Sequence, residues 1–267
     1  SIVAGLATGP FAAAHFNRIG QYGVLANLLA VPVMGFAVMP MLLIALLLWP
    51  LGLEGPPLFV ASYGIGWILG VAEQVAALPG AVGTVPAPPW PVFAFLGLGF
   101  ALIACLPGLA RGAGAVLIAA ALGLWSLTDR PDVLISADGR LVGWMTQEGR
   151  SLSRENGGGF VAGSWLENDG DGADQVTAAA RDGPVAEGLP RITALRRKAD
   201  ADAAFATCGT GWVVAPMDLP PAPATCRILT PDELRATGAI ALHLTEDGGV
   251  REVRAVDVQG RRPWVPR

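Results

Sequence analysis

Charged residues are distributed very unevenly along this chain of 267 residues, and that feature constrains its fold more than any other. Residues 1–127 contain four of the 40 charged side chains, and the remaining 36 follow after residue 127. A water-soluble domain usually carries about 25% charged residues throughout its length. We therefore predict a membrane-embedded region over residues 1–128 and a water-soluble domain over residues 129–267. The four charged residues of the first region are Arg18, Glu54, Glu73 and Arg111.

The first region contains several apolar segments that approach the length of a membrane span. A hydrocarbon core of about 30 Å requires about 20 mostly apolar residues in a helix. Three of the four tryptophans in this region lie near segment ends, as in an interfacial aromatic belt. Ser1–Phe16 is interpreted as the end of a further span, so we expect the C-terminal part of a longer protein. Complete spans are predicted at Val31–Pro50, Leu58–Leu78, Pro91–Leu106 and Gly112–Leu127.

Polar residues interrupt the apolar region, mainly within the stretch HFNRIGQYGVLANLLAVP from His15 to Pro32. Ionisable groups are costly in lipid and usually face a bundle interior or an aqueous path. The alternative interpretation is that Arg18 reaches the interface while His15 and Asn27 bond to neighbouring helices. Glu73 then simply ends a span. Prolines here are expected to interrupt or kink the following helix. The candidate path residues are His15, Arg18, Tyr22, Asn27, Pro32 and Glu73.

The soluble domain is predicted to mix helices with many short strands. Residues 133–144 (VLISADGRLVGW) form two alternating runs around Asp-Gly, which is a hairpin signal. A second pair of runs flanks the turn at residues 246–249. A helix is predicted from the capping box at Thr230 to a stop at Gly238. We also predict a strand at Phe160–Leu166, a loop at Asn168–Ala173 and a short helix at Ile192–Phe205.

No metal site or catalytic set can be assembled from the soluble domain. Its single histidine, His243, lies in an alternating strand, whereas a catalytic zinc takes about three protein ligands. The acidic run Glu167–Asp174 lacks the glycine and final glutamate of a calcium loop, so we expect a solvated turn. We expect no enzymatic activity, no metal and no cofactor. The net charge of −4 disfavours a broad basic surface but does not exclude a local one.

The three cysteines divide between the two regions. Cys105 lies within a predicted span and is expected to be a small apolar packing residue. Cys208 and Cys226 flank a stretch rich in glycine and proline within the soluble domain. A disulfide bond between them would indicate an oxidising compartment, which in bacteria is the periplasm. Two cysteines alone leave the bonded and the free form open.

Two stretches of the membrane region resemble the ComEC family of competence proteins. The first contains His15-Phe16, Tyr22-Gly23 and the run ANLLAVP at residues 26–32. The second is VAALPGA at residues 75–81, followed by the proline-rich residues 86–91. The order of a histidine, a Tyr-Gly pair and an Asn-Leu-Leu-Ala-Val-Pro run is specific, because ordinary membrane helices do not repeat it.

The resemblance extends into the soluble domain. LTPDELRATGAIALHLTEDGGV, residues 229–250, is similar to the closing helix, strand and hairpin of the metallo-β-lactamase-like domain that many members carry. The terminal residues 261–264 (RRPW) fit the shorter versions of the family. The family's histidine-rich metal motif has no counterpart in this chain. The resemblance therefore implies a degenerate, metal-free domain of mixed α/β fold.

The resemblance implies a polytopic α-helical bundle in the bacterial inner membrane that acts as a channel component for uptake of single-stranded DNA. Its expected partners are single-stranded DNA, membrane lipid, other DNA-uptake proteins and further copies of the chain. The soluble domain would lie in the periplasm, and the family's β-barrel domain and first helices would precede Ser1. The alternatives are a membrane-anchored periplasmic hydrolase and a DNA- or partner-binding module without a transport role.

Overall fold

The computed structural model describes residues 2–182, 186–221, 223 and 225–260, with the backbone alone for residues 2–4. The chain divides into two compact units, residues 1–126 and residues 127–267. This boundary lies two residues before the one predicted from the charge distribution. We call the first the helical unit and the second the soluble unit.

The helical unit contains three helices, within the described residues, that are long and apolar enough to cross a membrane. They span residues 23–51, 55–76 and 108–126. The sequence predicts four complete spans, but the helix at residues 90–105 has only 16 residues. The elements are α1 (Ile2–Phe16), β1 (Arg18–Gly20), α2 (Gly23–Val33), α3 (Met39–Leu48), α4 (Gly55–Ala76), β2 (Val82–Thr84), α5 (Trp90–Cys105) and α6 (Arg111–Ser126).

The helical run from α2 to α3 passes through two prolines without ending. Pro32 lies inside α2, and a π-helical turn at Met34–Val38 joins α2 to α3. In that turn the Met39 N–H donates to the carbonyl of Met34, five residues back. Pro40 has no N–H and so cannot donate the usual α-helical hydrogen bond. The wider π-helical turn changes the hydrogen-bond register at the place where this bond is missing. The span predicted to start at residue 31 therefore begins eight residues earlier, at Gly23.

Close helix packing in this unit depends on a few small residues. Helices α5 and α6 form a hairpin in which Val92, Leu96 and Ala121 are fully buried. The helices approach closely at Gly99 and Gly114, where a Cβ added to Gly99 would lie 2.8 Å from the Gly114 carbonyl oxygen. Many large apolar side chains elsewhere in this unit are exposed, as expected for surfaces that face lipid or further helices.

The soluble unit contains two sheets within its described residues. The five-stranded antiparallel sheet has the order β10-β9-β3-β4-β5, and the three-stranded parallel sheet has the order β6-β7-β8. Their shared core includes Ile135, Val214, Leu229 and Leu242, all fully buried. The elements are β3 (Val133–Ile135), β4 (Val142–Thr146), β5 (Gly149–Leu152), α7 (Gly159–Asp169), α8 (Gln175–Ala179), β6 (Ile192–Ala194), α9 (Ala201–Cys208), β7 (Trp212–Val214), β8 (Arg227–Leu229), α10 (Pro231–Thr237), β9 (Ile240–Leu244), β10 (Val250–Arg254) and α11 (Ala255–Gln259).

The strongest local signals in this unit are confirmed. Strands β3 and β4 form the hairpin predicted at residues 133–144, and β9 and β10 form the one around residues 246–249. Helix α10 begins at Pro231, and the Thr230 hydroxyl accepts a hydrogen bond from the Glu233 N–H at 3.2 Å. Gly238, with a φ of 73°, ends it.

Two weaker predictions are wrong. Residues 160–166 form part of helix α7, because Ala162, Trp165 and Leu166 follow helical spacing and are all buried on one face. Residues 192–194 form strand β6, and the helix begins only at Ala201, since β6 pairs with β7 across the sheet.

Cys105, expected to pack inside a span, is the exposed last residue of α5. Residues 261–264 lie outside the described residues.

Candidate functional site

A small two-stranded sheet joins two connections of the helical unit. Strand β1 follows α1 and pairs antiparallel with β2, which lies in the connection between α4 and α5. Arg18 is opposite Thr84, and Gly20 is opposite Val82. The Gln21 N–H extends this pairing by donating to the Ala81 carbonyl at 3.0 Å. The start of the polar stretch is thus held by backbone hydrogen bonds to a segment at least 60 residues away.

Asn17 forms the corner at which α1 ends and β1 begins. It is the one non-glycine residue in the described chain with a positive φ, 56°, and it is only 8% exposed. Its amide Nδ2 donates to the Val85 carbonyl at 3.3 Å, and its own carbonyl accepts from the Val85 N–H at 3.0 Å. Asparagine tolerates the left-handed region better than most residues. The available sequence signal was an Asn directly after a helix.

Tyr22 connects the end of this sheet to the opposite connection. Its hydroxyl donates to the Pro79 carbonyl at 3.1 Å, and the residue immediately precedes helix α2. Arg18 and Tyr22 therefore both lie against the same segment, residues 79–85, Arg18 through strand pairing and Tyr22 through its hydroxyl. The Arg18 side chain is exposed.

The remaining candidate residues lie at other positions in the helical unit. His15 is exposed in the last turn of α1, with its ring edge-on to Phe16 at 4.9 Å. Asn27 and Pro32 are exposed on α2, about 6 and 13 Å along the axis from its first residue. Glu73 is exposed near the C-terminal end of α4. The structure therefore gathers Arg18 and Tyr22 at the small sheet, next to the helix end that carries His15.

An apolar groove of about 500 Å³ lies beside this sheet. It is formed by α1, β1, residues 85–86 and the end of α6, with Leu6, Ile19 and Val85 among its lining residues. The indole N–H of Trp125 closes one side by donating to the Pro86 carbonyl at 2.7 Å. The lining is apolar, so the groove suits a hydrocarbon chain better than a phosphate group.

The acidic run of the soluble unit is engaged in ion pairs, which corrects the expectation of a solvated turn. Arg150 is fully buried and donates from Nε to Asp169 at 2.5 Å. Asp171 is paired with Arg181. Burial opposes ionisation of Asp171, but hydrogen bonds from Arg181 and the Ala173 N–H outweigh it and lower its pKa. Two carboxylates of this run thus balance buried or half-buried arginines.

His243 lies in a strand, as predicted. It occupies β9 opposite Arg251, and its Nδ1 is 3.8 Å from Asp129 Oδ2. Across the described residues, no group of three or more histidine, cysteine, aspartate or glutamate side chains is arranged to hold a metal ion.

Cys208 and Cys226 form a disulfide bond in the soluble unit. The bond joins the end of α9 to the residue before β8, and both sulfur-bearing residues are buried in one apolar cluster. The structure thus contains the bonded form that the sequence left as one of two alternatives.

Comparison with known proteins gives a match to part of the chain. The family model described as Competence protein matches residues 1–110, which cover most of the helical unit. Neither the curated proteins nor the solved structures contain a significant match to the chain. Residues 1–110 are therefore similar to the competence protein family, and this similarity supports the conclusion that the chain is a competence-family protein.

Proposed function

We propose that this chain is a component of an inner-membrane channel for uptake of single-stranded DNA during natural transformation. The observation that carries the proposal is the match to the competence protein family over residues 1–110. This match overlaps the helices that are long and apolar enough to cross a membrane. A role in DNA uptake is the function that such a domain suggests, and channel activity is the finer part of the proposal.

The polar residues at the small sheet suit a path for a polyanion. Single-stranded DNA is bound through cations along its phosphates and through rings on which its bases stack. Arg18 supplies a charge on an exposed side chain, and Tyr22 and His15 supply rings nearby. Asn27 and Pro32 are proposed as further path residues on the exposed side of α2. Glu73 is retained as a candidate, although its negative charge does not favour contact with phosphate.

The proposal includes partners and a location. Exposed apolar side chains on α2, α3 and α4 suit contact with lipid, with other DNA-uptake proteins or with further copies of the chain. We propose that the soluble unit lies in the periplasm, which the disulfide bond supports because thiols are kept reduced in the cytosol. We assign no enzymatic step, metal or cofactor to the chain.

We also propose that the soluble unit is a degenerate metallo-β-lactamase-like domain. The support is limited to residues 229–250, where the resemblance predicts a helix, a strand and a hairpin. Helix α10, strand β9 and the turn into β10 follow in that order.

The function is tested with the double variant Arg18→Ala and Asn27→Ala in a naturally competent host. At a normal expression level, transformation should fall at least about tenfold, because a phosphate contact and a hydrogen-bond donor are removed. The matched control is Arg111→Ala, which removes the other arginine of the helical unit and lies outside the matched residues. Unchanged transformation in the double variant would contradict the proposed path.

A further inference from the structure

In the soluble unit, the turn between β3 and β4 meets the carboxyl ends of the three parallel strands. Strands β6, β7 and β8 end at Ala194, Val214 and Leu229, on the same edge of the sheet. The turn between β3 and β4 packs onto this edge at Gly139, where an added Cβ would lie 2.9 Å from the Ala215 carbonyl oxygen. The carboxyl ends of parallel strands commonly form the crevice in which α/β proteins bind ligands.

Four arginines surround this edge, and we call them the arginine cluster: Arg140, Arg154, Arg196 and Arg235. Arg154 donates from Nη2 to the Leu195 carbonyl at 2.9 Å, directly after β6. Arg196 donates back to the Ser153 carbonyl at 2.6 Å. The other two line a cavity of about 370 Å³ together with Ala137, Asp138, Pro216 and Pro231.

The arginine cluster is short of negative charge. Arg154 Nε is buried without a hydrogen-bond partner in the part of the chain that the structure describes. Burial lowers the pKa of Arg154, and the nearby charges of Arg196 and Arg140 lower it further, opposed by Asp138. Arg150, by contrast, donates directly to a carboxylate.

The carboxylates that approach the arginine cluster form exposed ion pairs with it. Asp138 is 3.9 Å from Arg140, and Asp232 is 3.0 Å from Arg235, with every side chain at least half exposed. Exposed ion pairs contribute little to stability, so an incoming anion can take over the guanidinium groups at low cost. Asp138 itself stays in the turn, because its Oδ1 accepts hydrogen bonds from the Ser136 hydroxyl and the Arg140 N–H. Guanidinium groups bind the oxygens of phosphate or carboxylate through two parallel hydrogen bonds, so phosphate is a matching anion.

We propose that the arginine cluster binds phosphodiester groups of single-stranded DNA. The identity of the ligand rests on the proposed function, whereas the anion site rests on the geometry of the cluster itself. Four guanidinium groups around one sheet edge bind a backbone with repeated charges through several phosphates at once. The soluble unit thereby holds DNA, in addition to any path through the helical unit.

The test measures binding of a fluorescein-labelled oligothymidylate of about 20 nucleotides to the full chain in detergent, by fluorescence anisotropy. The double variant Arg140→Gln and Arg196→Gln should weaken binding at least about tenfold. It should also reduce the slope of log affinity against log salt by about 1.4, for two lost phosphate contacts. Both side chains are exposed, so the fold should survive, which near-ultraviolet circular dichroism checks.

The matched control is Arg191→Gln with Arg251→Gln, which removes the same charge from two other exposed positions. Arg191 precedes the amino end of β6, and Arg251 lies on β10, at the far edge of the five-stranded sheet from β5. This control should change affinity by less than about twofold, because neither residue contributes to the cluster. A third variant, Arg235→Gln, removes one guanidinium from an exposed helix surface and should weaken binding by about threefold.

Equal weakening in the cluster and control variants would overturn the proposal, since it would show a general charge effect. Unchanged affinity in the cluster variants, or no binding by the wild-type chain, would also overturn it. The proposed function is tested separately, by measuring natural transformation in a host that carries the Arg18→Ala and Asn27→Ala variant. A chain that supports uptake while its cluster variants bind DNA normally would refute this inference and leave the channel proposal intact.

Discussion

At the scale of single residues, Asn17 determines the shape of the polar stretch. The chain must turn sharply there to leave α1 and enter β1, and the turn uses a left-handed backbone conformation. Because Asn17 is buried, its amide has to be satisfied within the protein, and the Val85 carbonyl accepts from it. Arg18 therefore stands where it does partly because Asn17 fixes the strand to residues 82–85.

This role predicts an order of stability for two substitutions. Asn17→Gly keeps the left-handed conformation but loses the side-chain hydrogen bond, at a cost of about 1 kcal/mol. Asn17→Ala loses the same bond and adds backbone strain, so it should be less stable than the glycine variant by about a further 1 kcal/mol. Thermal unfolding in detergent, followed by tryptophan fluorescence, measures the order. Equal midpoints for the two variants would show that the backbone conformation is unimportant.

At the scale of elements, close approach of two helices explains why glycine spacing alone is an incomplete signal. The pair Gly97-x-Gly99 indicates a face suited to close packing, as does Gly64-x-Gly66. Only one glycine of each pair meets a neighbour: Gly99 faces Gly114, and Gly64 faces Val38. Residues two apart lie about 200° apart around a helix, so they cannot share one interface.

Substitution of the two glycines of the pair in α5 should therefore have different effects on stability. In Gly99→Ala the new methyl would lie 2.8 Å from the Gly114 carbonyl oxygen and 2.7 Å from Ile118 Cγ1, at a cost of roughly 1–3 kcal/mol. In Gly97→Ala the methyl meets nothing within 4 Å, and the helix gains roughly 0.5–1 kcal/mol from alanine. The thermal midpoint in detergent should fall for the first and hold or rise for the second. A fall of the same size in both would indicate that close packing is not the cause.

At the scale of the whole molecule, the chain combines an apolar helical unit with a soluble unit that is stabilised by polar and covalent links. Ion pairs such as Arg150 with Asp169 are buried in the soluble unit. The disulfide bond joins residues 18 apart, and closing a loop of that length contributes about 3 kcal/mol. A soluble unit with such a bond is suited to an oxidising compartment.

In cells, Cys208 and Cys226 should accordingly be oxidised. Thiols are blocked with a maleimide–polyethylene glycol reagent after denaturation, and each modified cysteine shifts the band on a gel. One shift, from the free Cys105, is expected before reduction, and three shifts are expected after reduction. A Cys105→Ala variant should show no shift until the sample is reduced. Three shifts in unreduced wild-type protein would contradict the proposed periplasmic location.

Local signals were sufficient for part of the soluble unit. The Asp-Gly turn at residues 138–139 and the Thr230 cap both act within a few residues, so the sequence predicts them without knowledge of the fold. Strand β6 could not be distinguished in that way, because three residues become a strand only when β7 pairs with them. The sequence predicts a strand where helix α7 forms, because Phe160, Val161 and Trp165 are residue types that favour strands.

The sequence by itself determined that one half of this chain is suited to lipid and the other to water, because charge is too costly in a bilayer to be placed freely. It also determined the identity of the polar residues between His15 and Pro32 and their likeness to a competence protein. Only the tertiary structure decided that Arg18 and Tyr22 lie against residues 79–85, and that four arginines meet at the edge of a parallel sheet. These arrangements depend on contacts between residues far apart in the chain, and no local pattern specifies which distant segments pair.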